Sequence, residues 1–534
     1  MTPDADFNLL YEPWILVMNP FGDVEEISLL EAFEHAHEIV RISGELPTQD
    51  VAILRLMLAV MYAVYQREDL NGNILKLESA RDALDRWREL WQRSSFNMNQ
   101  ISSYLKRYED RFFLIHHERP FYQVNFSNGT SYKTSKLIGE LSESSNKPRL
   151  FPIRTGTGQN SINYSEAARW LLYLNSYDDT SSKPTRDSSQ KLPSVGVGWL
   201  GKLGLIYATG TNLFETLMMN FVLLDHNEMP FENGQACWEL KAVHSKERVE
   251  IPMPNNPLEL LTLQSRRLLL SREAGNIVGY KLLGGDFFPK ENAFIEQMTV
   301  WRKDEKTSEF IPKRHDPSKA LWRDYATLIS KGDKDGKPGI VRWVSLLQKE
   351  NLLPSHVLSF QTAGIKYGDK DFFVDDVFED SISMNSHLLA DLHREWNNRI
   401  GEILIKTDKC ILELGNFAIN LLKSAGDSDE NNYKGASANV RKKAYFVLDG
   451  PFRQWLKSID PDCDDLEIKN NEWLGKMRHI ILNIGEEYIL NADEKSFVGK
   501  SIIVRNRIVS SMKNNAISWF ELFKYEVNRI ISGE

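Results

Sequence analysis

Residues 385–400, N-S-H-L-L-A-D-L-H-R-E-W-N-N-R-I, mark the point where the chain changes texture. Leu388, Leu392, Trp396 and Ile400 recur every fourth residue, a spacing that lays apolar side chains along one helix face. From here to the C-terminus the pattern stays helical, with no strand signal. The first run continues towards Leu422, and Ser424–Gly435 makes a polar break. A second helix carries Val440, Val447, Phe452 and Trp455, interrupted at Gly450-Pro451. A third carries Leu474, Met477, Ile481, Ile484 and Tyr488, and a fourth carries Ile517, Phe520, Val527 and Ile530. Four amphipathic helices with short polar links predict an up-down four-helix bundle over 385–534.

Upstream, residues 1–384 read as one large mixed α/β domain, so the fold class is α+β. F-N-L-L-Y-E-P-W-I-L-V (7–17) is an extended apolar start, and Val24–Ile27 a second short strand. Ser28 followed by Glu31 is a capping box, predicting a helix to about Ile42. Thr48 is placed to cap a buried helix carrying Val51, Leu54, Leu58, Met61 and Val64. Residues 77–94 read as amphipathic, 165–174 and 212–224 as helical, and 237–252 as alternating strands. A Gly284-Gly285 turn is expected between V-G-Y-K-L-L and D-F-F-P-K, and a Gly368-centred hairpin tip within 360–371.

Composition limits the function classes. The chain has 534 residues, 42% hydrophobic and 26% charged, enough for two or three compact units. Its net charge of −9 excludes a uniformly basic surface, so any nucleic-acid contact must come from local patches. Three scattered cysteines, Cys237, Cys410 and Cys463, support neither a disulfide framework nor a Cys-rich zinc site. The acidic N-terminus has no basic n-region, and no apolar run approaches the roughly 20 residues that span a bilayer. A cytoplasmic protein without membrane contact is expected.

Two basic segments stand out against that acidic background. S-S-N-K-P-R-L-F-P-I-R-T-G-T-G (144–158) sets Lys147, Arg149 and Arg154 around Phe151, with Pro148 and Pro152 shaping a projecting loop. Cations for phosphates beside an aromatic for a base suit a nucleic-acid finger, although a Pro/Gly surface loop has the same composition. Between Lys495 and Lys513 the charge is one-sided, with Lys500, Arg505, Arg507 and Lys513 forming a plausible non-specific phosphate track.

Other motifs are weaker. Gly196, Gly198 and Gly201 match G-x-G-x-x-G but follow a polar, Pro-interrupted loop instead of a buried strand, which speaks against a dinucleotide fingerprint. They read either as a tight turn or as backbone able to approach a phosphate, with Lys202 nearby. His116 and His117 beside Glu118 read as an aromatic core segment whose neighbours point apart. Asp375, Asp376, Glu379 and Asp380 read as a solvated acidic face. P-D-C-D-D-L-E-I-K (461–469) echoes a nuclease pattern, but its acids are too close for separate strands, so it reads as a loop and helix start.

With these pieces placed, the chain resembles the CasA-type large subunit of the type I-E CRISPR Cascade complex. The resemblance is carried by 7–17, by I-S-L-L-E-A-F (27–33), by H-E-R-P-F-Y-Q (117–123), by G-V-G-W-L-G after a long loop, and by P-F-R-Q-W-L (451–456) within the helical region. It implies a non-catalytic subunit that reads the protospacer-adjacent motif (PAM) of double-stranded DNA mainly from the minor groove. It also implies that the subunit helps open the duplex and docks a separate nuclease–helicase. Loop 144–158 then lies near the 5′ handle of the CRISPR RNA, with Phe151 as its aromatic. The PAM loop falls on Gly196–Gly198, and the groove-entering lysine on Lys281, with Lys290 second. The wedge hairpin falls on Tyr367–Asp371. Some relatives place a glutamine at that tip, whereas this chain offers Asp369 and Lys370. Some relatives also carry a Cys-rich metal site, for which this chain lacks the cysteines. Neither cofactor nor metal is expected.

Two other classes stand beside this one. An enzyme would use Asp375/Asp376 with Glu379 as a metal nuclease, or Gly196–Gly201 to hold a nucleotide. A protein-only helical scaffold would use the Lys495–Lys513 patch on acidic partners.

Overall fold

The computed structural model describes residues 5–126, 131–141, 153–181, 194–241, 247–329, 336–353, 357–498, 503–504, 507–508 and 515–533. It has a large mixed α/β part followed by helices. Chain contacts divide it into two compact units, with the boundary between Ser381 and Ile382 and the segment Trp322–Ala326 counted with the second.

The first unit is built on the helix Pro47–Tyr65, in which every residue from Val51 to Tyr65 is buried. Its one buried cation, Arg55, is paired, and the rest of the stretch from Val51 is apolar or aromatic, so the helix has no polar face to offer water and must be enclosed. The expectation that no apolar run approaches a bilayer span fails here: by length and composition this helix is long and apolar enough to cross a membrane, and 94% of its apolar window is buried inside the protein. Thr48 does not cap it. Pro47 occupies the first turn, where its missing N–H costs nothing, so the helix starts earlier and Thr48 is buried. The Ser28–Glu31 capping box forms as read, with Ser28 N donating to Glu31 Oε2 at 2.8 Å and Glu31 N to Ser28 Oγ at 3.3 Å. That helix stops at Glu34 instead of Ile42. The chain is instead drawn into a sheet, where Arg41–Ile42 pairs with Met18 and Val17 of the strand Ile15–Met18.

Two sheets lie close to the candidate site. In the first, Ser131–Lys133, Asn276–Gly284 and Arg266–Glu273 run antiparallel in that order. Its hairpin turn is Ala274-Gly275, with positive φ at both residues, and not Gly284-Gly285. Lys281 therefore sits inside a strand. In the second, Val357–Tyr367 lies between Val374–Asn385 and Tyr207–Thr209, and residues 368–373 form the tip of the Val357–Asn385 hairpin. The strands expected over 237–252 are absent from the described residues there, which show a 3₁₀ turn at Cys237–Glu239 and a single bridge from Glu250 to Phe287. Side-chain bonds fix the turn instead of a ladder. Trp238 Nε1 donates to Tyr104 Oη at 2.8 Å, and Arg67 holds Glu239 bidentately at 2.7 and 2.8 Å.

The second unit is a bundle of the helices Arg394–Ala425, Glu430–Lys457, Leu466–Leu490 and Ala516–Ser532. Cross-contacts give their directions. Tyr445 meets Asp408, Lys443 meets Glu487, and Arg478 meets Asn528 while Gly485 faces Phe523, so consecutive helices are antiparallel. Trp473 donates to Thr407 Oγ1 at 3.3 Å, while Phe452 packs on Trp322 and Trp473. Pro451 does not interrupt the second helix, which runs unbroken past it because Phe452, Trp455 and Leu456 are locked in the core. Leu392 is off the core stripe. It lies in the 3₁₀ turn before the first helix and is 93% exposed.

Candidate nucleic-acid interface

The segment 194–204 is placed by one buried arginine. Arg266, the first residue of its strand, donates from Nε to Asp178 Oδ2 at 2.5 Å and from Nη2 to Gly196 O at 2.8 Å. Both members of the ion pair are buried, and further bonds to Asp178 O, Asp179 O and Ser265 O satisfy the guanidinium. A buried charge needs this degree of pairing. Gly196 turns with φ +68°, a region costly to side-chain-bearing residues. Gly198 has a different duty. Its N–H donates to Asp178 O at 2.9 Å, and a Cβ there would lie 2.3 Å from Ser176 O, so it is a packing glycine against the end of helix Tyr164–Tyr177.

The tip of the hairpin is fastened to the same helix end. Tyr367 Oη donates to Tyr177 O at 2.6 Å. Thr180 N donates to Asp371 O at 2.9 Å, and Thr180 Oγ1 to Lys370 O at 2.8 Å. Arg314 completes the fastening, with a bidentate pair to Asp371 at 2.9 and 3.0 Å and its guanidinium 5.1 Å from the Tyr367 ring. Lys370 and Asp371 hold φ of 50° and 61°, and Phe372 beside them is 50% exposed. Thus the glycine loop and the hairpin tip share one support.

Cations gather around it. Lys202, whose Nζ lies 5.7 Å over the Trp199 ring, is pushed down to about 8 by burial and then by the charges of Arg266, Lys290 and Arg314. Glu291 partly opposes them. Four cations from distant parts of the sequence thus approach one another, two of them, Arg266 and Arg314, paired with Asp178 and Asp371.

The sequence-expected residues distribute unevenly. Gly196, Lys290, Asp369 and Lys370 belong to this site or its rim. Lys281 is half-buried in its strand, opposite Ser131 and Leu269 in register. Arg154 is held by Glu140, at 2.6 Å from Nη2, and by Glu166, so its charge is used within the fold. Lys147, Arg149, Phe151, Lys500, Arg505 and Lys513 lie outside the described residues, and Arg507 starts a two-residue strand paired with Ile503–Val504. The acidic run is dispersed along one strand. Asp375 pairs with Lys366 at 2.7 Å, Asp380 accepts from Leu321 N at 2.6 Å, and Glu379 accepts from Gln361 at 3.2 Å. Among the described residues no group of three or more His, Cys, Asp or Glu is arranged to hold a metal ion. Asp465, in 461–469, caps the helix Leu466–Leu490, as its spacing suggested. His116 and His117 do not point apart. Their rings stack at 4.7 Å because the strand ends at His116, whose Nδ1 accepts from Glu118 N and Arg119 N.

Sequence reasoning missed Arg266, Arg314 and Phe372. A signal for the first was present: R-R-L-L-L opens an apolar strand with two arginines, which must find buried partners. Arg314 and Phe372 carried none, since only the folded chain brings them to the site.

Three comparisons bear on these features. The family model for CRISPR-associated protein Cse1 (CRISPR_cse1) matches residues 8–484. The CRISPR-associated protein CasA/Cse1 of Thermus thermophilus is 30% identical over 339 residues. That match spans 61% of this chain and 60% of the Thermus protein's length. The crystal structure of Thermobifida fusca Cse1 is 27% identical, with a TM-score of 0.83 over 100% of this chain and 99% of that one. A chain of a CRISPR RNA-guided surveillance complex shares the fold, at 14% identity and a TM-score of 0.70 over 98% of this chain and 100% of that one. With the family match running through both the mixed α/β part and most of the helical bundle, the chain belongs to the CRISPR-associated Cse1 family.

Proposed function

We propose that this chain is the large, non-catalytic subunit of a type I-E Cascade complex, reading the PAM of double-stranded DNA and helping to open the duplex. The observation that carries the reading is the convergence of Gly196, Lys202, Lys290, Arg314 and the hairpin tip at 368–373 on one support. Minor-groove readers combine cations with close backbone approach and use inserted side chains to part base steps. This site has each of those parts. The likeness to CasA/Cse1 proteins, and to a chain of an RNA-guided surveillance complex, supports assembly with other Cascade subunits and CRISPR RNA. Recruitment of an effector nuclease–helicase, and a cytoplasmic location, follow from the same reading. The exposed Lys290, close enough to shift Lys202, suits the groove-entering lysine better than strand-bound Lys281.

The test is duplex binding by the assembled complex across a salt series, with and without a candidate PAM. Lys290→Ala is expected to weaken PAM-dependent binding and to reduce the slope of log affinity against log salt by about one. Lys281→Ala is expected to change both much less. Binding indifferent to DNA sequence, or cleavage by the isolated chain, overturns the reading.

A further inference from the structure

We propose that Arg314 is a DNA-backbone ligand held by Asp371 in the free chain, and that a phosphate taking the place of Asp371 releases the hairpin tip. The proposal rests on the DNA-binding reading of this site and adds to it a residue and a motion.

Four observations converge. First, the Arg314–Asp371 pair has the two-bond fork geometry that a guanidinium makes equally with carboxylate and with phosphate. The carboxylate therefore occupies the kind of position a phosphodiester would fill. Second, the pair is replaceable. Its side chains are 36% and 33% exposed, and ion pairs this wet add little to stability. Third, Arg314 is already aimed. Its guanidinium lies against the Tyr367 ring, and Tyr367 is buried and fixed by its bond to Tyr177 O, so little side-chain freedom is lost on binding an anion. Arg314, Lys202 and Lys290 are like charges drawn together, an arrangement that gains from a polyanion.

Fourth, the tip is strained. Lys370 and Asp371 are consecutive non-glycine residues with left-handed φ of 50° and 61°. Such residues persist only where surrounding bonds over-determine them. Here the bonds come from Thr180, from Arg314 and from the turn itself, where Gly368 N donates to Phe373 O and Asp371 N to Gly368 O, both at 2.9 Å. Removing the Arg314 pair takes away the one side-chain ion pair on Asp371 that the geometry shows and leaves the turn to the Thr180 bonds and its own backbone bonds, and the exposed Phe372 loosens with it. Backbone binding at Arg314 and movement of the tip are thereby coupled through one side chain.

The test uses the full chain and the assembled complex with four variants and a duplex of defined sequence. Arg314→Gln is expected to lower duplex affinity about tenfold and the salt slope by about one. Asp371→Asn is expected to raise affinity about fivefold, whereas Asp376→Asn, the same charge change on the same hairpin away from the tip, gives less than twofold. In hydrogen exchange, amides 368–373 of the wild-type chain should speed up on adding duplex, and should already be fast in Asp371→Asn. The swap Arg314→Asp/Asp371→Arg should keep the slow exchange of the free chain but lose the duplex-induced acceleration. An Arg314→Gln variant with unchanged affinity and slope overturns the proposal, as does an Asp371→Asn variant no tighter than Asp376→Asn. Loss of PAM preference in the wild-type complex alongside an intact Arg314 effect would instead overturn the PAM reading and leave the phosphate site standing.

Discussion

Glu296→Ala is expected to destabilise the first unit by about 3–5 kcal/mol, the cost of leaving a buried cation without its partner. Glu296 pairs bidentately with Arg55 at 2.9 Å on both arms, and the two side chains are 1% and 5% exposed. The same carboxylate accepts from Trp199 Nε1 at 2.8 Å and from Met298 N at 3.0 Å. It thus ties the core helix to the segment carrying the glycine loop. Truncation strands Arg55 and two further donors in a region closed to water. The check is urea unfolding of the full chain, followed by a probe of the first unit because a two-unit chain need not unfold in one step. Arg55→Met/Glu296→Met should recover most of the loss, since replacing both charges by apolar groups removes the unpaired ion. A shift below about 1 kcal/mol for Glu296→Ala would refute the argument, because a removed buried charge partner cannot cost so little.

The second large effect is on pH. Lys202 is pushed down to about 8 from an ordinary lysine value of 10.5, chiefly because burial disfavours its charge, with Arg266, Lys290 and Arg314 adding to it. The folded chain binds this proton less tightly than the unfolded one, so this group makes the free chain gain stability as pH rises from about 8 towards 10.5. DNA binding has the opposite sign, since a phosphate favours the ammonium form. Between pH 7 and pH 9 the protonated fraction falls from about nine-tenths to about one-tenth, and duplex affinity is expected to fall about tenfold. Anisotropy titrations of the complex at fixed ionic strength would measure it. Lys202→Arg, which does not titrate in this range, should bind with a flat profile. An equal slope in that variant would assign the effect to another group.

The helical bundle was legible because its signal is local. Met477, Ile481 and Ile484 lie at helical spacing, and all three are buried. Ser28 with Glu31 was legible for the same reason, since the cap closes within three residues, and so was the helix start within 461–469, where the structure adds Asp465 as the cap. The hairpin tip announced itself through Gly368. Tertiary choices were not legible. Arg154 is a cation in the sequence and an internal anchor in the fold, because Glu140 and Glu166 claim it. The candidate site depends on approaches across long separations: Thr180 reaches 190 residues to Lys370, and Arg314 reaches 57 to Asp371. Periodicity has no information on such meetings. Glycines 196 and 198 were singled out together, yet one provides a turn and the other a contact surface, a distinction set by the nearby Ser176 carbonyl.

The buried helix Pro47–Tyr65 has a consequence for how the protein is made. Its coverings are encoded far downstream: Val222 receives the Tyr62 hydroxyl from 160 residues away, and Glu296 meets Arg55 across 241. At ribosomal speeds of about 5–20 residues per second, the helix waits roughly 10–50 s between its own emergence and that of Glu296. For that interval the nascent chain displays a segment with the length and hydropathy of a membrane span. Ribosome profiling of chains stalled before Glu296 should find them bound to trigger-type holding chaperones, and chains stalled well beyond it released.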